Sequence, residues 1–276
     1  MTPVDGEVGQ LVAAEEDRAG GGLQNPSATN GAALAALTDL VQRGRSIGVL
    51  MARAPARTSW RTPAGDIRRL ELQYLLRPPR AGFRTVPQPT PDQRRALDLS
   101  FVRGVARFHD KGIVLGDSSH ANVLWALDPE PEVYLLDCDG FHPVSGAPAQ
   151  PQTETVDWSD PGTPLSETNF DSDAYKTALA VGRIVTQDPC IAPGHQLKPV
   201  PGCLDDDQLT QVSALFAKAA GERGTRPRVK DWYHALGGRG AVPPDVAQPP
   251  PRPSDEGPAP DGLRDREPIN LRVSGR

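Results

Sequence analysis

GIVLGDSSHANVLWALDPEPEVYLLDCDGF, residues 112–141, is the stretch on which the reading of this chain turns. It sets Asp117 in a loop behind a short apolar run, Asn122 five residues further on, and Asp137 directly after a second apolar run. Runs of this length and composition predict short strands at 113–115, 122–125 and 133–136. Two carboxylates and one amide are thereby brought to strand ends, where side chains project into loops.

Working outward, Thr90-Pro91 opens a predicted helix whose apolar residues Leu97, Phe101, Val105 and Phe108 recur at helical spacing. Lys111-Gly112 supplies a basic last turn and a C-cap glycine that end it. Downstream, 142–170 is rich in Pro, Ser, Thr and Gly and reads as a long surface loop. A buried helix is expected over 171–186, apolar or small nearly all round, followed by helices at about 206–219 and 229–236. Upstream, the spacing of Ala32, Ala33, Leu34, Leu37, Leu40 and Val41 predicts a helix over 31–45 with Asn30 as its N-cap. Strand-like runs at 46–52 and 67–76, separated by Pro55, Pro63 and Gly65, are expected to pair as a hairpin.

The chain has 276 residues, with 30 Pro and 27 Gly, an excess that implies loops and tails around a smaller folded unit. Residues 1–28 read as a disordered lead and 239–276, rich in proline, as a disordered tail. A net charge of -5 excludes a generally basic protein that coats nucleic acid. Three cysteines (Cys138, Cys190, Cys203) are too few for a disulfide framework, and no apolar run approaches a bilayer span. A cytoplasmic protein with no membrane span is expected. Cys190, His195 and Cys203 lack the paired spacing and fourth ligand of a zinc site. His120, His142 and His234 read as surface or packed histidines, and the run Pro249-Pro250-Pro251 as a solvated spacer.

The 112–141 window resembles the catalytic core of the eukaryotic-type protein kinase superfamily, in its divergent bacterial branch, where an Asp-x-x-x-x-Asn loop precedes an Asp-x-Gly metal site. Further residues carry the likeness. Phe108-His109-Asp110-Lys111-Gly112-Ile113 looks like the lead-in to the catalytic loop. Ser172-Asp173-Ala174-Tyr175 is similar to the segment whose aspartate braces that loop, and Gly224-Thr225-Arg226-Pro227 with Trp232 resembles the closing arginine-proline motif. The resemblance covers about residues 91–236. It implies an α+β, protein-kinase-like fold with a mainly helical C-lobe at 80–238 and a reduced, small-sheet N-lobe at 29–79.

By the same resemblance Asp117 is the catalytic base that accepts the proton of an attacking hydroxyl. Asn122 and Asp137 are the ligands of Mg²⁺ against the phosphates of ATP. Residues 72–79 look like the hinge between lobes, with Leu75 and Leu76 as the positions that meet the nucleotide. The implied activity is ATP- and Mg²⁺-dependent phosphoryl transfer to Ser or Thr hydroxyls of a protein substrate or signalling partner.

The departures are specific. Leu115-Gly116 stands in place of the family's His-Arg, Asp139 replaces the glycine of the metal motif, and Asp160-Pro161 is the nearest approach to an Ala-Pro-Glu motif. No lysine precedes Lys111, so the strand lysine that grips the phosphates is absent, and Asp39 is the only acid in 31–45. These features keep two other readings open. One is a pseudokinase acting as a binding scaffold. The other is a small-molecule phosphotransferase of the aminoglycoside or choline kinase type, whose His-Gly-Asp loop is similar to Leu115-Gly116-Asp117.

Overall fold

Helix formation follows the capping chemistry written into the sequence. In the computed structural model, which describes residues 33–34, 37–43, 46–51, 53–80, 83–137, 140–146, 155–164 and 167–239, helix α1 spans Pro91–Asp110. Thr90 and Gln93 form a reciprocal capping box at its start, and Gly112, at φ 72, lets the chain turn away after its end. Its inward stripe of Leu97, Phe101, Val102, Val105 and Ala106 is fully buried. Each of the larger side chains there contributes about 1.5–3 kcal/mol.

Helix α2 (Phe170–Thr186) starts with a capping box between Asn169 and Ser172 and is buried from Ser172 to Val185. It is the central element against which α1 and α3 (Asp206–Lys218) pack. Helix α4 (Val229–Ala235) closes the bundle against α1 and α3. At Gly182 the missing side chain admits the Phe216 ring of α3, because an added Cβ would fall 2.7 Å from Phe216 Cζ.

Strands β6 (Ile113–Val114), β7 (Val123–Ala126) and β8 (Glu132–Leu135) carry the 112–141 window. β7 and β8 pair antiparallel from Val123–Leu135 to Ala126–Glu132, and β1 (Ala33–Leu34) adds to β8 in parallel. β6 pairs antiparallel with β9 (His142–Pro143). The expected surface loop 142–170 therefore begins with a strand, which two residues, one of them proline, do not announce by periodicity. His142 is buried there, with its ring nitrogens 3.0 Å from the Gly140 carbonyl and 3.2 Å from the Thr168 carbonyl.

The N-terminal third departs from the sequence expectations. In place of a helix over 31–45 the chain forms β1 and an antiparallel hairpin of β2 (Leu37–Arg43) and β3 (Ser46–Met51). The Ala/Leu spacing fits a helical period, but Thr38, Val41, Ile47 and Val49 are β-branched. Arg43 also pairs with Ser46 across a two-residue connection containing Gly44, a length suited to a tight hairpin.

Consequently 46–52 does not pair with 67–76. β4 (Ser59–Arg61) and β5 (Ile67–Arg69) form their own hairpin, and Pro63 and Gly65 (φ 95), expected to separate two strands, lie in its turn. Past Arg69 the expected strand gives way to a Glu71–Leu124 bridge and a single 3₁₀ turn at Leu72–Tyr74.

The whole is α+β, four helices with small, mainly antiparallel sheets among the described residues. No described helix is long and apolar enough to cross a membrane. The lead at 1–28, the cap at Asn30, Cys138, Asp139 and all but the first residue of the tail at 239–276 lie outside the described residues.

Candidate functional site

The loop between β6 and β7 holds Asp117 and Asn122, and its shape is imposed from beneath by α2. Asp173, in the first turn of α2 and 1% exposed, accepts hydrogen bonds from the backbone N–H groups of Leu115 (2.8 Å) and Gly116 (3.0 Å). His109, at the end of α1, lies with Nε2 3.0 Å from the same carboxylate and stacks on Phe170, with ring centroids 4.2 Å apart. The fully buried Lys176, one turn along α2, donates to the Gly116 carbonyl at 2.7 Å. Both polar ends of the Gly116 peptide region are thus held, and Gly116 itself takes the left-handed conformation, φ 76. Buried charges are tolerated where such hydrogen bonds satisfy them.

Asn122 locks the other end of the loop. Its Nδ2 donates to the backbone carbonyl and to Oδ2 of Asp117, both at 3.0 Å, and its own N–H bonds the Ser119 carbonyl at 3.1 Å. Asp137 reaches the same place from β8. The Leu136 N–H bonds the Asn122 carbonyl at 2.8 Å, so the residue after Leu136 leaves the strand beside Asn122. Asp137 is exposed and sits at φ 52, a backbone conformation rare for a residue with a side chain. Three of the sequence-identified residues, Asp117, Asn122 and Asp137, are therefore gathered at one edge of the β7–β8 pair.

Leu75 and Leu76 are placed elsewhere. Both are buried in the core, 1% and 2% exposed. Their backbone N–H groups are used within the 3₁₀ turn, and the Leu75 carbonyl accepts from the Arg94 guanidinium at 2.9 Å. Glu71, just ahead of them, receives the indole N–H of Trp125 on its carbonyl at 3.1 Å.

A second segment is tied to the loop from the far side. Thr155 donates its hydroxyl to Ser119 Oγ at 2.7 Å, and His120 lies against Trp158, with ring centroids 5.8 Å apart. Burial lowers the pKa of His120; Arg183 and Arg77 add to that, against the opposing pull of Glu71 and Asp117. The segment ends at Asp160, whose carboxylate takes two hydrogen bonds from Arg226, at 2.6 and 2.8 Å. It also takes one from Thr163 and one from the Gly162 N–H. Burial alone would raise the Asp160 pKa, but these donors together hold it below the ordinary range. Tyr175 of α2 lies under the Arg226 guanidinium, 4.8 Å from its ring centre. A cleft of about 300 Å³ beside this segment is lined by Asp157, Ser159, Tyr175, Arg183 and Cys190 among others, and includes none of the five sequence-identified residues.

Sequence reasoning missed Lys176, Ser119 and Thr155. Lys176 had a signal, a lone cation inside a helix apolar nearly all round. The Ser119–Thr155 bond had none, since 36 positions separate its members.

Asn122 and Asp137 offer hard oxygen donors of the kind Mg²⁺ takes. Among the described residues no group of three His, Cys, Asp or Glu could cage a metal. That donor set fits an ion held jointly by one or two side chains and by phosphate oxygens of a ligand, the usual arrangement for Mg²⁺ in nucleotide sites. Cys190 is exposed and Cys203 buried, both as free thiols, and burial pushes Cys203 up to about 12.

No protein-family model matches the chain, and no curated protein sequence matches it.

Proposed function

We propose that this chain is a protein-kinase-like phosphotransferase that uses ATP and Mg²⁺ and acts on a Ser or Thr hydroxyl of a protein. The observation that carries the reading is the loop from Leu115 to Asn122, held from below by Asp173 and closed by the Asn122–Asp117 hydrogen bonds. A general base must be fixed within hydrogen-bond reach of the proton that it accepts. Asp117 meets the first part of that requirement, because its loop is anchored at one end to the buried Asp173 and Lys176 and at the other to the half-buried Asn122. In the proposed mechanism Asp117 Oδ accepts the substrate hydroxyl proton as the oxygen attacks the γ-phosphorus of ATP and the bond to the bridging oxygen breaks, releasing ADP. Asn122 orients the carboxylate through its Nδ2, and its Oδ1 together with the Asp137 carboxylate would hold the ion. Mg²⁺ would supply charge neutralisation on the phosphates. The Asp160–Arg226 pair holds the segment 155–160 against the loop, where a protein substrate would be received.

The second reading, a binding scaffold without transfer, draws on a separate observation. No lysine precedes Lys111, and the backbone N–H groups of Leu75 and Leu76 are spent within their own turn. A slow enzyme or a scaffold is expected from such an N-terminal region.

Thermal denaturation with millimolar ATP, with and without Mg²⁺, tests the base of the first reading and separates it from the second. Nucleotide at 100 times its dissociation constant stabilises by about 2.7 kcal/mol. An Asp137→Asn chain should lose the Mg²⁺-dependent part, while Asp117→Asn keeps binding and lowers turnover by roughly a hundredfold. Failure of Mg²⁺-ATP to shift the melting curve overturns the phosphotransferase reading. Transfer that survives Asp117→Asn unchanged removes Asp117 from the role of base.

A further inference from the structure

Arg183, in the last turn of α2, is 4% exposed, yet it forms no ion pair among the described residues. Its contacts are to neutral groups. Nε donates to the Ile191 carbonyl at 3.3 Å, Nη2 donates to the Asp157 carbonyl at 2.7 Å, and the guanidinium lies over the Trp158 ring, 4.7 Å from its centre. Nη1 has no hydrogen-bond partner among the described residues. Asp157 meets the guanidinium with its backbone, at φ 65, and not with its carboxylate. Burial outweighs the pull of Asp157, Cys190, Tyr175 and Asp188 and lowers the Arg183 pKa. Arg226, whose side chain is also buried, has Asp160 and Asp171 beside it; Arg183 has no such counter-ion. A guanidinium taken out of water in this way costs free energy that carbonyls and an aromatic face offset only in part.

The same side chain lines the cleft of about 300 Å³ described above. Tyr175, Leu179 and Arg183 all line it, and their i, i+4, i+8 spacing puts them along one side of α2. Tyr175 is 8% exposed, and its hydroxyl has no hydrogen-bond partner among the described residues. Two buried polar side chains thus bring unused donors to the lining of one cavity. Leu179, Pro189 and Ala192 give it an apolar wall, while Asp157, Ser159 and Cys190 are exposed and form the rim where it opens to solvent.

We infer that this cleft binds a carboxylate on a short aliphatic stem, carried by a glutamate side chain of a peptide or by a small organic acid. Arg183 and Tyr175 donate to its oxygens, and Leu179, Pro189 and Ala192 pack on the stem. The carboxylate supplies the counter-charge that Arg183 lacks, and hydrogen bonds to an ionised group are the strong ones. A phosphate monoester fits less well. Its charge of about -2 calls for more than one cation, whereas Arg183 is the one cation lining the cleft among the described residues, and Asp157 stands at the rim. The volume lies at the lower end of ligand sites and suits one side chain or a small acid. The inference concerns binding alone, uses neither Asp117, Asn122 nor Asp137, and holds for an enzyme or a scaffold.

Cys190, an exposed free thiol at the rim, reports occupancy. Alkylation of the full chain by the neutral reagent iodoacetamide, at fixed pH and ionic strength, is followed by mass spectrometry of the peptide that carries Cys190. Saturating glutarate, or a tripeptide of alanine, glutamate and alanine blocked at both ends, should slow that alkylation at least about threefold by filling the cleft. Glutaramide and the corresponding glutamine tripeptide should not. Tyr175→Phe removes the hydroxyl and keeps the ring under Arg226, and should raise the half-effective ligand concentration about tenfold. Arg183→Lys keeps the charge without the fork and should raise it further, about thirtyfold. Where the melting curve shows that Arg183→Lys has not folded, Tyr175→Phe decides. Protection by glutarate alone supports the inference with a free acid as ligand, and protection by the glutamate tripeptide supports it with a protein side chain. No protection by either, equal protection by the amide controls, or a half-effective concentration unmoved in Tyr175→Phe overturns it. No nucleotide is present, so the outcome is separate from that of the phosphotransferase reading.

Discussion

The helical region from α1 to α4 and the hairpin region ahead of it are held together by different means. In the helical region, polar side chains are buried and paired over long sequence distances. Asp173 reaches Leu115 across 58 positions, and Arg226 reaches Asp160 across 66. In the hairpins at 37–69 the backbone pairing is between near neighbours, and the β4–β5 strands expose Arg61, Ile67 and Arg68. The contrast teaches that the rigid scaffold for the candidate loop lies on its helical side. The hairpin region contributes surface more than core, and contacts such as Trp125 to Leu70 and Glu71 are what attach it to β7.

The sharpest way to break the helical side is Asp160→Asn. Removing one charge from a buried, two-bond pair leaves Arg226 with the Asp171 carboxylate, 3.1 Å away, as its one remaining counter-charge, which costs about 3 kcal/mol and lowers the melting temperature by roughly 5–10 °C. Because the folded Asp160 pKa is depressed, its stabilisation is present above the ordinary carboxylate range and is lost as pH falls through the folded value. The parent and the variant should therefore begin to converge in melting temperature as pH falls below about 4, and meet only below the depressed folded value.

Gly182→Ala comes next. The methyl meets the Phe216 ring, so α2 and α3 must part, at about 1–3 kcal/mol. A variant as stable as the parent in urea unfolding would show that these helices slide freely.

A stabilising change sharpens the same comparison. Asp98, on α1, is fully buried, and neither of its carboxylate oxygens has a hydrogen-bond partner. Burial raises its pKa well above the ordinary value and outweighs the pull of Arg94. A carboxyl raised on folding leaves stability intact below its unfolded value and weakens it as pH climbs through the window up to the folded value. Asp98→Asn should raise the melting temperature at pH 7 by at least about 2 °C, and the gain should vanish near pH 3 to 4. A gain independent of pH would assign the effect to packing instead.

In the hairpin region the corresponding test is milder. Gly65→Ala meets no atom within 4 Å but forces a side chain onto φ 95, at about 1 kcal/mol. If it instead unfolds the chain as thoroughly as Asp160→Asn, the hairpin is part of the core and the division between the two regions fails.

The two regions were also unequally legible. Thr90-Pro91 with Gln93, and Lys111-Gly112, marked both ends of α1, since a capping box and a C-cap act within four residues. The Asp117–Asn122–Asp137 spacing and the place of Asp173 at the head of α2 were read for the same reason, as local patterns between recognisable elements. The helical reading of 31–45 fails, while the strand at 46–51 is found, because small and aliphatic residues at i, i+3 and i+4 satisfy a helical period and an alternating one nearly equally. Which reading wins depends on whether a partner strand is at hand, and 46–51 supplies one by pairing antiparallel with 37–43.

Sequence by itself determined where the helices start and stop, which residues form the loop of Asp117, and how far along the chain Asn122 and Asp137 lie, because capping, periodicity and spacing are short-range. Tertiary structure decided the rest. It chose the hairpin partners, put Asp173 and Lys176 under the Gly116 peptide, tied Thr155 to Ser119, and buried Leu75 and Leu76 in the core. Those contacts join residues far apart in the chain, and their energy appears only when burial removes water from both partners at once.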